Sequence, residues 1–180
     1  QFALRGGQHS AQLMRTYPEF QEKSIKECYA NLTRLAQHYI FIQNQYVQYE
    51  DWVTHLTACM ERLRSAGYTK PLYVFILTST PESDGMDLAT YDIALELGQS
   101  ERMKVEHETT VERAKRGKTK MPITAEALAK RGIHALMGSM WSGALQPKSA
   151  NDYEETYIHA KVAIVDDAAF LSEREVVQNE

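Results

Sequence analysis

The sequence predicts an α/β fold, a mixed sheet with helices on its faces. Three observations predict it. Two short continuous apolar runs, Tyr39-Ile40-Phe41-Ile42 and Pro71-Leu72-Tyr73-Val74-Phe75-Ile76-Leu77, are rich in aromatic and β-branched residues, the mark of strands buried on both faces. Each run follows a stretch in which apolar residues recur at threes and fours, the period of a helix with one buried stripe. The chain has 180 residues, 43% hydrophobic and 24% charged, enough for one domain with a sizeable core, whereas two domains would each be small. Residues 1–180 are therefore expected to form a single domain.

Residues 1–17 are a lead-in with Gly6-Gly7 and no clear period. Tyr17-Pro18-Glu19 marks a helix start, because proline in the first turn lacks only an N–H that has no partner there anyway. Phe20, Ile25, Cys28, Tyr29, Leu32, Leu35 and Ala36 then place a helix over about 19–37. The strand at 39–42 runs into the polar Gln43-Asn44-Gln45. Trp52, Val53, Leu56, Met60 and Leu63 predict a second helix over about 50–65, with Gly67 near its stop. After the strand at 71–77, residues 78–87 (TSTPESDGMD) form a turn-rich loop at a strand's C-terminal end, where such sheets place ligand sites. Residues 88–116 read as helical, and 115–120 (KRGKTK) as a basic, solvated turn. Thr124 caps a helix over 125–131 that stops at Gly132, and 133–141 reads as another strand. Residues 143–156 are polar and irregular; a strand over 157–165 ends at Asp166-Asp167, and 168–171 form a return strand. Trp52, Met60 and Phe75 are expected in the core, and Met140 and Trp141 in the core or at an acyl-chain entrance. His134 reads as a structural histidine.

Composition excludes some function classes. Mean hydropathy is −0.45, and no apolar run approaches the ~18 to 20 residues that cross a bilayer, so membrane chemistry would be done from the surface. Lys and Arg number 20 against 24 Asp and Glu, a net charge of −4 that argues against a protein whose main affinity is for the phosphates of long nucleic acid. Cys28 and Cys59 have no C-x-x-C spacing and are expected as buried free thiols. There is no initiator Met and no signal-peptide pattern at Gln1-Phe2-Ala3-Leu4, and the chain is read as a piece of a longer product.

The sharpest pattern lies in Tyr157-Ile158-His159-Ala160-Lys161-Val162-Ala163-Ile164-Val165-Asp166-Asp167, where His159, Lys161 and Asp166 form H-x-K-x4-D. Two apart on a strand, His159 and Lys161 leave the same face, which aims an imidazole and an ammonium into one pocket. Burying an unpaired Lys is costly, and an anionic ligand between the two would offset that cost. The plainer reading is an edge strand whose polar face meets water.

This stretch resembles the catalytic motif of the phospholipase D superfamily, where the same spacing is followed by a run such as Ile-Val-Asp-Asp. A second element, Tyr39-Ile40-Phe41-Ile42-Gln43-Asn44-Gln45-Tyr46, is similar to the Y-I-x-I-E-N-Q-Y/F strand end of phospholipases D of the eukaryotic type, with Gln43 where that family usually has Glu. Ala11-Gln12-Leu13-Met14-Arg15-Thr16 followed by Glu22-Lys23-Ser24-Ile25 matches a Q-x-x-R-T... K-S-I run of these enzymes. Pro81-Glu82-Ser83-Asp84-Gly85-Met86 resembles a loop of bacterial phospholipase D effectors delivered by type VI secretion.

The resemblance implies a phospholipase D-like sandwich, the C-terminal lobe of a bilobal enzyme that hydrolyses the head-group phosphodiester of glycerophospholipids through a phosphohistidine. It implies His159, Lys161 and Asp166 as catalytic and Gln43, Asn44 and Gln45 as substrate-binding, with no metal and no cofactor. His159 is the acid–base histidine or the nucleophile; Asp166 orients His159 or its counterpart. Partners implied are the phospholipid membrane surface, an N-terminal lobe bearing the other motif and an immunity protein, but no nucleic acid; the setting is a secreted effector acting in the periplasm of a target bacterium. Two departures stand beside it. No other His is followed by Lys two residues on, so the chain holds half an active site. Where the family continues with G-S-x-N, this chain has Glu173, Arg174 and Val176, so the tail over 172–180 is read as lying beyond a gap or in a fragment. The rival readings are a superfamily nuclease acting as a homodimer, and a non-catalytic fragment that binds a partner.

Overall fold

A computed structural model describes residues 12–49, 51–79, 88–99, 123–143 and 153–172. The first helix starts later than the proline suggests. Strands β1 (Thr16–Tyr17) and β2 (Glu22–Lys23) pair antiparallel around a 3-10 turn at Pro18–Phe20, and Gln21, at φ +55°, turns the chain out of helical geometry. Ser24 Oγ ties the ribbon down, accepting the Arg15 N–H at 3.0 Å and donating to the Arg15 carbonyl at 2.8 Å. The Arg15 guanidinium, 2.6 Å from the Glu22 carboxylate, holds that group below the usual carboxylate range. Helix α1 is Ser24–Leu35, and Phe20, expected on its buried stripe, is exposed.

Strand β3 (Tyr39–Gln43), helix α2 (Trp52–Ser65) and strand β4 (Leu72–Leu77) follow as the apolar periodicity predicts. Gly67, at φ +81°, closes α2. Trp52 joins the two helices, its Nε1–H donating to Thr33 Oγ1 at 2.8 Å with both side chains buried. The end of α1 is covered by α2: Cys59 Sγ meets the Ala36 carbonyl at 3.2 Å and the Arg62 guanidinium donates to the Arg34 carbonyl at 2.8 Å. Cys28 and Cys59 are free, as expected, and burial pushes both thiols up.

Helix α3 is Leu88–Glu96, the first part of the helical stretch read over 88–116. Residues 80–87, 100–122, 144–152 and 173–180 lie outside the described residues, and with them most of the turn-rich loop, the basic turn and the tail. Helix α4 (Ala125–Lys130) has the predicted cap, Thr124 Oγ1 accepting the Ala127 N–H at 3.1 Å. The strand expected over 133–141 divides into β5 (Ile133–Gly138) and β6 (Met140–Gly143). Strand β6 leaves the main sheet and pairs antiparallel with β7 (Tyr153–Thr156), part of the stretch read as irregular. Trp141 and Met140 are exposed on this ribbon, which corrects their placement in the core. Strands β8 (Val162–Val165) and β9 (Ala169–Ser172) complete the elements.

The main sheet has five strands in the order β5-β4-β3-β8-β9, with β3, β4 and β5 parallel and β8 and β9 antiparallel. The fold is α/β with a mixed sheet flanked by helices, the class the sequence predicts. One finding differs: Ile40, Ile42, Leu72, Val74, Ile76, Ile133, Met137, Ala163, Val165 and Leu171 enter a core shared with α2, α3 and α4, whereas the alternate residues do not. The strands expected to be buried on both faces are buried on one, and Phe75 is exposed rather than in the core. His134 likewise faces outward, stacked on Tyr73 at 5.5 Å.

Candidate functional site

The C-terminal ends of β3, β4 and β5 are stitched to one another. The Asn44 N–H donates to the Leu77 carbonyl at 3.0 Å, the Thr78 N–H to the Gly138 carbonyl at 3.0 Å, and Thr78 Oγ1 to the Gln45 carbonyl at 2.8 Å. These bonds hold residues 44–47 across the top of the sheet, where Val47 N–H finds the buried Thr90 hydroxyl at 3.0 Å. The segment over 157–161 crosses the same end. Its anchor is Ile158, buried, whose N–H donates to Ser79 Oγ at 3.0 Å while that hydroxyl donates back to the Ile158 carbonyl at 3.4 Å.

This segment carries His159 and Lys161, and it is not strand: β8 begins only at Val162. The expectation that the two side chains share a strand face is corrected accordingly. Lys161 is half-buried and lines a cavity of about 300 Å³ with Asn44, Ile42, Tyr29, Tyr46, Val47, Gln48, Tyr49 and Trp52. Its ammonium donates to the His159 carbonyl at 3.2 Å. His159 is exposed, its ring 6.0 Å from that of Tyr157 with the planes 19° apart, and the Tyr157 hydroxyl meets the Gln45 carboxamide.

The proposed substrate-binding trio is split by the alternation of β3. Asn44 is at the cavity and Gln45 is on Tyr157. Gln43 lies on the opposite face from Ile42, between Val162 and Leu77.

Asp166 stands at the other end of the sheet. It follows β8, at φ +54°, and its carboxylate accepts the N–H groups of Gln37 at 2.7 Å, His38 at 2.9 Å and Tyr39 at 2.8 Å, where β3 begins. At ~3.3 Å per residue, the five steps along the chain from Lys161 through β8 to Asp166 span roughly 16 Å. The geometry gives Asp166 the work of fixing the entry to β3. Its neighbour Asp167 accepts from the Tyr39 hydroxyl, which pushes that phenol up.

Sequence reasoning missed Ser79 and Tyr157 as members of this site. The signal for Ser79 was its place in the suspected loop after β4; Tyr157 had none beyond proximity to His159 in the chain. Among the described residues, no group of three or more His, Cys, Asp or Glu side chains is placed to hold a metal ion. No helix among them is long and apolar enough to cross a membrane.

No family model matches the chain, and no curated protein matches it. Among solved structures, it is similar to NucT from Helicobacter pylori, with a TM-score of 0.38 and 14% identity over 80% of this chain and 61% of that one. The chain thus spans less than two thirds of the length of that structure.

Proposed function

We propose that this chain is the C-terminal lobe of a phospholipase D, a phosphodiesterase that hydrolyses the head-group side of glycerophospholipids to phosphatidic acid. The observation that carries the reading is Lys161 and Asn44 lining one aromatic-walled cavity of about 300 Å³ at the end of β3, with His159 two residues away in the chain. An ammonium and a carboxamide supply donors for the non-bridging oxygens of one phosphate. Tyr29, Tyr46, Tyr49 and Trp52 provide apolar wall beside them, which suits a lipid ester, while a net charge of −4 opposes a long polyanion.

The chemistry is a two-step displacement at phosphorus. An imidazole nitrogen of one histidine attacks phosphorus as the bond to the head-group oxygen breaks, and a second histidine gives its proton to that oxygen. Water then attacks the phosphohistidine: a P–O bond forms, the P–N bond breaks, and the second histidine takes the proton from water. Lys161 neutralises charge on the non-bridging oxygens in both steps. We assign His159 the acid–base role, which leaves the nucleophile to a histidine of an N-terminal lobe. The antibacterial setting, action in the periplasm of a target bacterium and pairing with an immunity protein rest on the resemblance of residues 81–86 alone.

The test uses the chain assembled with a lobe bearing the other H-x-K-x4-D. Release of phosphatidic acid from mixed phosphatidylcholine and phosphatidylethanolamine vesicles is expected, with single- and double-stranded DNA uncut at about 50 mM salt, where nucleic-acid binding is strong. DNA degraded while vesicles stay intact would overturn the lipid reading.

A further inference from the structure

The segment around His159 is fixed at successive residues. Ile158 is buried and clamped by the Ser79 hydroxyl, which holds the backbone. Beside the imidazole of His159 stands the Tyr157 ring, 6.0 Å away with the planes 19° apart. The Tyr157 hydroxyl accepts an N–H from the Gln45 carboxamide. Gln45 is itself tied to the sheet, its carbonyl accepting the hydroxyl of the buried Thr78 at 2.8 Å. A line of contacts thus runs from the end of β4 through Gln45 and Tyr157 to the imidazole. Neither Gln45 nor Tyr157 is among the described residues that line the Lys161 cavity.

An imidazole that gives a proton to one oxygen must hold that proton along one direction, and a misplacement of about 1 Å costs roughly 100-fold in rate. His159 is exposed, so burial does not select its rotamer. An aromatic ring in this near-parallel geometry does, by roughly two- to tenfold over an imidazole left in water. Tyr157 is 59% exposed and would carry the same freedom itself, were its hydroxyl not bonded to Gln45.

We infer that Tyr157, braced by Gln45, is a positioning residue that holds the His159 imidazole in one orientation. Gln45 then serves Tyr157, where the resemblance implied a substrate phosphate. The consequence for turnover rests on the phosphodiesterase reading; the orientation of the ring does not.

Proton NMR of the full chain reads that orientation, with the His159 ring resonances identified by their loss in His159→Ala. A stacked tyrosine displaces them from the position of a solvated histidine. Tyr157→Leu should return them to that position, and Gln45→Leu, which keeps the tyrosine but unties it, should move them part of the way. Resonances that Tyr157→Leu leaves in place overturn the inference. In the chain assembled with a lobe bearing the other H-x-K-x4-D, kcat on mixed phosphatidylcholine and phosphatidylethanolamine vesicles should fall roughly 100-fold in Tyr157→Leu with KM held. Tyr157→Phe and Gln45→Leu should each cost up to about tenfold, and together no more than either alone, because both remove one hydrogen bond. Losses that multiply in the double variant overturn the inference, and so does a raised KM with kcat kept. If the assembled wild type releases no phosphatidic acid, the lipid reading falls and the ring resonances still decide the orientation.

Discussion

At the scale of single residues, the H-x-K-x4-D spacing joins two jobs at opposite ends of one strand. Lys161 and His159 precede β8 at the cavity end, and Asp166 follows it, gripping the backbone that starts β3. Hydrogen bonds to a charged acceptor contribute ~1.5 to 3 kcal/mol each, and a left-handed backbone costs a β-carbon residue ~1 to 2 kcal/mol. Asp166→Ala should therefore destabilise the chain by about 3 kcal/mol or more in urea denaturation, the N–H groups regaining part of the loss from water. Asp166→Asn keeps one acceptor oxygen and tolerates the positive φ, and should cost about half as much. An Asp166→Asn variant as stable as wild type would show that the backbone clamp is not what the aspartate supplies. His159→Ala and Lys161→Ala should behave the other way. His159 is exposed and Lys161 half-buried, so neither change should move the melting temperature by more than a degree or two. In the assembled enzyme each should lose more than about 100-fold in rate, because a preorganised donor on the phosphoryl oxygens is worth ~3 to 4 kcal/mol.

At the scale of elements, the three glycines with positive φ that end helices are used differently, and their replacement by alanine should separate them. Gly67, at φ +81°, has open space where a β-carbon would go, so Gly67→Ala should cost only the backbone strain, ~1 to 2 kcal/mol. Gly132, at φ +88°, would set its β-carbon 2.4 Å from the Arg64 guanidinium, a flexible group that can swing aside, for a slightly larger loss. Gly98, at φ +69°, would set it 2.5 Å from the backbone nitrogen of Ala125, where α4 begins. Backbone cannot move without unseating the Thr124 cap, so Gly98→Ala should be the worst of the three, about 3 kcal/mol or more. Equal losses at the three sites in thermal denaturation would contradict this account.

At the scale of the whole molecule, an in-line displacement needs a nucleophile and an acid on opposite sides of phosphorus, and one imidazole cannot be both in the same step. The chain carries one histidine of the motif. Alone, as a monomer, it should release no choline or ethanolamine from vesicles, and an N-terminal lobe with the other motif should restore release. Turnover by the isolated chain, followed by head-group release, would sink the half-site argument.

The sequence by itself determined the features whose cause is local. The stops at Gly67 and Gly132, the Thr124 cap, the amphipathic period of α2 and the apolar runs of β3 and β4 depend on residues a few positions apart, and each is where it was predicted. Only the tertiary structure decided which sheet face is covered, because Phe41 and Ile42 are equally apolar and a run without alternation does not say which side meets a helix. It also decided that residues 140–143 leave the main sheet for β7, a pairing set by distant residues. The site divides along the same line. Its residue types were legible in H-x-K-x4-D and in Gln43-Asn44-Gln45, but their grouping was not. The Ser79 clamp on Ile158 and the Asp166 clamp on Gln37, His38 and Tyr39 are hydrogen bonds between parts of the chain far apart in sequence. Those contacts put Lys161 beside Asn44 and send Asp166 to the far end of the sheet, and no spacing along the chain encodes them.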